Sequence, residues 1–160
     1  MNALDKKLIE TECIRNGNWV KLIALLKHQF NEWSMSRLSK EGYADFKVVY
    51  MPVLMNITPE GINNNELANQ ARVTKQAMSK VAKELQKLGY IKSKIDPRDK
   101  RSTIIMLTDR GKKLVIAARL RVMELTDQYR SVIGEAEFDR ATEVIKKVMD
   151  YNDRHLLNRK

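Results

Sequence analysis

A mostly α-helical fold with one small β-hairpin is predicted for this chain of 160 residues by three features. Apolar residues recur every three or four positions near both ends, the spacing of one helix face. Two short helical patterns joined by a tight turn occupy the middle. Two stretches rich in strand-forming residues, YIKSKI and STIIML, then bracket a charged turn, as paired strands do.

The elements follow in order. Residues 1–14 are mixed and carry no strong pattern. Trp19, Leu22, Leu26, Phe30 and Trp33 step by 3, 4, 4 and 3 and define a helix that Gly42 closes. ADFKVVYMPVLMNI is apolar and expected to be helical, but Pro52 falls inside it. Proline removes a helix hydrogen bond and clashes with the preceding turn, so a kink or two shorter helices are expected. TPEGI is a turn. NNNELANQA is a short helix that Asn63 or Asn64 can cap. Thr74 caps the next, KQAMSKVAKELQKL, whose Ala77, Met78, Val81, Leu85 and Leu88 share one side. Lys75, Gln76, Ser79, Lys80 and Lys83 fall largely away from that stripe, and Gly89 ends the helix.

Two short helices with a tight turn, the second with a basic polar face, form a helix-turn-helix. With the hairpin that follows, its turn DPRDKRS filled with charge, the pattern is a winged helix. Thr108 then caps a long helix with Asp109 at its positive end. Leu114, Ala118, Val122, Leu125, Tyr129 and Val132 mark its apolar face, and Gly134 breaks it. A last helix is expected from about Glu135 to Leu156, with Phe138, Ala141, Ile145 and Val148 on one side. The expected organisation is a single domain, 1–160. A winged helix-turn-helix reader at 44–111 is flanked by helical dimerisation arms at 1–41 and 112–160. The long amphipathic ends need cover, which packing on each other and on a second copy supplies, so a homodimer is expected, the alternative being a monomer whose two ends pack together.

Charge points to the partner. The net charge is +10, and residues 63–113 hold 13 Lys/Arg against 5 Asp/Glu. A concentrated basic surface is the footprint of a polyanion binder. The longest apolar run has eight residues, far short of the roughly 20 a membrane span needs. No secretory signal is read at the N-terminus, and the one cysteine, Cys13, cannot form an internal disulfide, so a cytoplasmic protein is expected. His28 and His155 have no nucleophile nearby in a recognisable arrangement. Without a Gly-rich phosphate loop or Cys/His metal spacing, neither an enzyme nor a metal or cofactor site is expected. The alternative function is a winged-helix module that holds a protein partner and has only non-specific DNA affinity.

The stretch DPRDKRSTIIMLTDRG fits Asp-x-Arg-Asp-x-Arg, a strand, then Leu-Thr-x-x-Gly, and ELANQARVTKQAMSKVAKELQKLGYI precedes it. On these motifs the chain resembles the MarR family of bacterial winged-helix transcription regulators. The resemblance covers about Phe46 to Lys113 well, and the flanking helices in pattern only. It departs at Pro52, in a helix usually unbroken in the family. It implies a homodimer that reads a pseudo-palindromic duplex, and repression is the commoner outcome in such proteins.

The helix from Thr74 is the candidate for the major groove. Gln76 can pair with adenine, and Lys75 and Lys80 can reach guanine acceptors, with Ser79 beside them. Thr74 contacts a phosphate or serves only as a cap. At the wing, Asp96 and Asp99 can pair with Lys100 or Arg101 and hold the turn's shape. Arg98 is left at the tip to enter a narrow minor groove, where the potential is most negative, the role the resemblance also implies. Family members often bind a small aromatic ligand between arms and reader. Trp33, Tyr43, Phe46, Tyr50 and Met51 could line such a pocket, or be ordinary core. Some relatives sense peroxide through a cysteine near the N-terminus. Glu10 and Glu12 beside Cys13 would raise its pKa, with Arg15 opposing them, which argues against that role here.

Overall fold

A computed structural model of the chain describes residues 1–14, 18–97 and 102–157. Arg98, Asp99, Lys100 and Arg101, together with Arg15 and the side chain of Cys13, lie outside the described part. The chain divides into two compact units, Met1–Ala118 and Arg119–Lys160.

In the first unit, α1 (Ala3–Glu10) begins with a capping box. The Asn2 side chain accepts from the Asp5 backbone N–H, and the Asp5 carboxylate accepts from that of Asn2. A 3-10 turn over Glu12–Ile14 follows. Helix α2 (Trp19–Lys40) is capped by Asn18, whose side chain accepts from Lys21 at 2.9 Å. Its N-terminal half leaves Trp19, Leu22 and Leu26 each about half exposed, and only Ser34 and Leu38 are buried.

The expected helix over Ala44–Ile57 does not form as one piece. The backbone makes a 3-10 turn at Val48–Tyr50 and then a single α turn, α3 (Met51–Leu54). Pro52 lies in the first turn of α3. There its missing N–H costs nothing, because first-turn N–H groups have no intrahelical partner. Of the two outcomes expected of Pro52, the structure adopts two short elements.

Strand β1 (Ile62–Asn63) was not anticipated. It pairs antiparallel with β3 (Thr103–Leu107), Ile62 facing Ile105, and β3 pairs with β2 (Ile91–Ile95). The hairpin is therefore part of a three-stranded sheet of order β1-β3-β2. Between β1 and β2 lie α4 (Asn64–Gln70) and α5 (Lys75–Lys87). After β3, α6 (Asp109–Ile133) begins at Thr108, whose hydroxyl accepts from the Gly111 backbone at 3.1 Å. Gly111 is required by close approach, since a Cβ there would lie 2.0 Å from the Tyr90 carbonyl oxygen. The core gathers Leu38, Phe46, Tyr50, Val53, Leu54, Leu67, Met78, Leu85, Tyr90, Ile91, Ile105 and Leu114, all nearly inaccessible. It thus joins the end of α2, the 46–57 segment, both reader helices, the sheet and the start of α6.

The second unit contains the C-terminal part of α6 and α7 (Glu135–Tyr151), and a π turn over Asn152–Leu156 ends its described part. Arg130 binds Glu135 and, at 2.6 Å, Asp139, and stacks over Phe138 at 4.7 Å. These contacts pin the bend at Gly134, where φ is +101°. Of the apolar positions predicted along α6, Leu114, Ala118 and Leu125 are buried, while Val122 and Val132 are exposed. Ile145 and Val148 of α7 are exposed too.

Candidate nucleic-acid interface

The middle of the chain builds a surface around α5. Helix α4 starts at Asn63, whose Oδ1 accepts from Asn65 at 2.8 Å, while its amide nitrogen donates to the Ser102 hydroxyl at the base of the wing. One side chain therefore caps the first helix of the pair and ties it to the hairpin. Helix α4 ends in a Schellman motif: Val73 N–H donates to Ala68 and Arg72 N–H to Asn69, at 3.0 and 3.1 Å. Such a motif puts its C′ residue in the left-handed region, and here that residue is Arg72, at φ +55°.

Thr74 opens α5 as predicted, its hydroxyl accepting from Ala77 at 3.1 Å. Helix α5 ends in a second Schellman motif, with Tyr90 N–H on Leu85 and Gly89 N–H on Gln86. Met78 and Leu85 on its stripe are fully buried, and Val81 and Leu88 are half-buried. Ala77 is a correction, because it is exposed rather than part of the stripe. It sits in the first turn, one residue before Met78, where the helix leaves the core.

Lys75, Gln76, Ser79 and Lys80 are all exposed, on one helix end, and Lys83 and Lys87 continue the basic surface. The Ser79 hydroxyl donates to the Lys75 carbonyl at 2.9 Å, which leaves its oxygen as an acceptor. On β2, Lys92 and Lys94 are exposed two residues apart, hence on one face. The sequence motifs do not point to these two lysines, although the alternation of IKSKI carries the signal. Asp96 N–H donates to the Ser102 carbonyl at 2.9 Å and closes the base of the wing turn. The other wing residues named from sequence, Arg98 to Arg101, fall outside the described part.

Beneath α5 lies an aromatic layer. Phe46 meets Tyr50 and Tyr90 edge-on, with ring centroids 5.9 and 6.0 Å apart. Tyr50 donates to Glu84, and Tyr90 donates to Asp45 at 2.6 Å. Arg110 grips both Asp45 oxygens at 2.9 Å, donates to the Leu88 carbonyl at 2.6 Å, and stacks 4.4 Å over the Tyr90 ring. The Tyr90 hydroxyl, more than Arg110, holds the Asp45 carboxyl below its ordinary value. The Tyr50 hydroxyl does the same for Glu84, helped by Lys47 and Lys80. Both tyrosines are raised, Tyr90 chiefly by burial and Tyr50 chiefly by its bond to Glu84.

These contacts bear on the five residues considered for a ligand pocket. Phe46 and Tyr50 belong to the packed core, with Tyr43 and Met51 against it. Trp33 stacks instead with Phe30 and Arg37. An open groove of about 560 Å³ lies elsewhere, lined by Leu8, Ile9, Thr11, Glu12 and Ile14. Among the described residues, no three His, Cys, Asp or Glu side chains are grouped to hold a metal ion. No helix among them is long and apolar enough to cross a membrane.

Residues 44–102 match the sequence model described as the MarR family. The HTH-type transcriptional regulator BilQ of Clostridium symbiosum (strain WAL-14163) is 25% identical over 136 residues, 85% of this chain and 93% of that one. Among solved structures, S. aureus MepR in a DNA complex superimposes with a TM-score of 0.71 at 20% identity, covering 84% of this chain and 98% of that one. A mutant MarR from E. coli complexed with operator DNA gives 0.70 at 21% identity, covering 86% and 96%. PcaV from Streptomyces coelicolor, in complex with its natural ligand, gives 0.68 at 17% identity, covering 86% and 94%.

Proposed function

We propose that the chain is a MarR-family winged-helix protein, on the match of residues 44–102 to that family's model and its 25% identity to an HTH-type regulator, and that it is a sequence-specific, double-stranded DNA-binding transcriptional regulator. It acts as a homodimer and a ligand-responsive repressor in the cytoplasm. The observation that carries this function is α5 itself. Its apolar stripe is buried at Met78 and Leu85, while Lys75, Gln76, Ser79 and Lys80 are exposed at its N-terminal end. Those four side chains enter the major groove, Gln76 reading adenine and the lysines guanine or phosphate. Thr74 serves as the cap. Arg98, Lys100 and Arg101 of the wing reach the adjacent minor groove and backbone, with Asp96 and Asp99 shaping the turn. Lys92 and Lys94 add phosphate contacts.

A homodimer presents two α5 helices to successive major grooves, about 34–36 Å apart, and so reads a pseudo-palindromic site. The effector is a small aromatic molecule. Its pocket adjoins Trp33, Tyr43 and Met51, which are only partly buried, and opens beside the packed Phe46 and Tyr50. The test is selection of bound duplexes from a random pool at near-physiological salt. A two-fold-symmetric motif with half-sites about one helical turn apart is the expected product. Recovery of no motif, with affinity that collapses as salt rises, would reduce the protein to non-specific charge attraction.

A further inference from the structure

The stretches 45–50 and 84–90 are tied together twice, with opposite polarity. Tyr50 of the first donates to Glu84 of the second, and Tyr90 of the second donates to Asp45 of the first at 2.6 Å. Phe46 packs edge-on to both tyrosine rings. Tyr50 and Tyr90 are only 2% and 0% exposed, so both bonds are anchored in the core. Glu84 is the third member of a row on α5. Gln76, Lys80 and Glu84 follow one another at intervals of four, so they stack along one helix face.

We propose that these two tyrosine–carboxylate bonds form a clasp that sets the roll and axial position of α5, which makes Asp45, Tyr50, Glu84 and Tyr90 positioning residues for base readout. The inference rests on the DNA-reading role given to α5. Burial of Met78 and Leu85 holds the helix down, but apolar burial is non-directional. A roll of about 15° moves the surface of a helix of ~5–6 Å radius by about 1.5 Å. Apolar packing resists that shift only gradually, whereas it takes a hydrogen bond out of range. The bond at Glu84 therefore fixes the very row that carries Gln76 and Lys80. At the other end, Arg110 holds the Leu88 carbonyl, the Asp45 carboxylate and the Tyr90 ring together. That end cannot slide without moving the first turn of α6.

The experiment compares affinity for the duplex the parent protein selects with affinity for an unrelated duplex. It uses Tyr50→Phe, Tyr90→Phe and the double variant. The double variant is expected to lose about ten- to hundredfold in the ratio of the two affinities, the scale of one misplaced base contact. Affinity for the unrelated duplex and its salt dependence are expected to stay unchanged, because the exposed lysines are untouched. Glu84→Gln, which keeps an acceptor for Tyr50, is expected to retain most of the ratio. An unchanged ratio in a folded double variant, including an equal fall on both duplexes, would overturn the clasp. If the double variant does not fold, Glu84→Ala, at a partly exposed position, carries the same readout. A parent that selects no sequence would overturn the DNA-reading role and the clasp with it; a selective parent with indifferent variants overturns the clasp alone.

Discussion

Arg72 occupies a backbone conformation that glycine takes at no cost. It is the C′ residue of α4 with φ +55°, and Gly89 fills the same place after α5 with φ +74°. The left-handed region costs a residue with a Cβ about 1–2 kcal/mol. Part of that is offset because glycine loses more chain entropy on folding. Arg72→Gly is therefore expected to raise stability by up to about 1 kcal/mol, read as a higher urea midpoint at unchanged slope. No gain would mean the arginine side chain compensates for its own backbone. Gly89→Ala and Gly111→Ala separate two roles of glycine. At Gly89 a Cβ meets nothing within 4 Å, so only backbone strain is added, about 1 kcal/mol. At Gly111 the Cβ would collide with the Tyr90 carbonyl, and a loss of ~3 kcal/mol or more is expected, with displacement of α6. Equal losses at the two sites would refute the close approach. The end of α5 was legible because Gly89 announces it. The end of α4 was not signalled, since nothing about an arginine foretells a positive φ.

The carboxylates of Asp45 and Glu84, bonded to the buried tyrosines, make stability depend on pH in a definite direction. Asp45 and Glu84 titrate below their ordinary values of 3.8 and 4.5. Their contribution is present above those values and is lost as pH falls through the lower folded ones. Tyr50 and Tyr90 are raised above 10.0, so their contribution holds below pH 10 and is lost on further rise. Urea midpoints measured against pH are expected to fall at both ends. Asp45→Asn should flatten the acid limb and Tyr90→Phe the alkaline one. An acid limb unaltered in Asp45→Asn would show that its bonds do not persist in solution. At the level of the element, α5 was well marked, its start by Thr74 and its face by the spacing of Met78, Leu85 and the lysines. The alternation of YIKSKI and STIIML marked β2 and β3. Segment 44–57 resisted because a 3-10 turn followed by one α turn has no repeating period. Two-residue β1 is shorter than any alternation. Ala77 was misplaced because small residues suit either side of a helix. The tyrosine–carboxylate pairs join residues 34 and 45 positions apart, a relation no local spacing displays.

Across the whole molecule, the largest unexplained feature is apolar surface. Trp19 and Leu22 are each 53% exposed on α2, Leu4 and Leu8 of α1 are more so, and Ile145 and Val148 of α7 are open as well. The helical spacing foretold which residues share these faces, but a pattern in one chain does not say whether a neighbouring helix or another molecule covers them. A second copy satisfies both the apolar faces and the two-fold symmetry of a DNA reader. If folding is coupled to that association, the melting temperature must rise with protein concentration. Sedimentation is expected to give twice the chain mass of 18.6 kDa. Leu22→Glu places a charge in the face and is expected to shift the mass toward the monomer. It should also remove the concentration dependence and weaken binding to a two-half-site duplex far more than to a single half-site. The comparison of the two duplexes is decisive, because Leu22 lies on a different element from α5. Equal weakening on both would mean the substitution disturbs the reader itself. Full binding by a monomeric variant would mean that the exposed faces serve some purpose other than pairing the two reading helices.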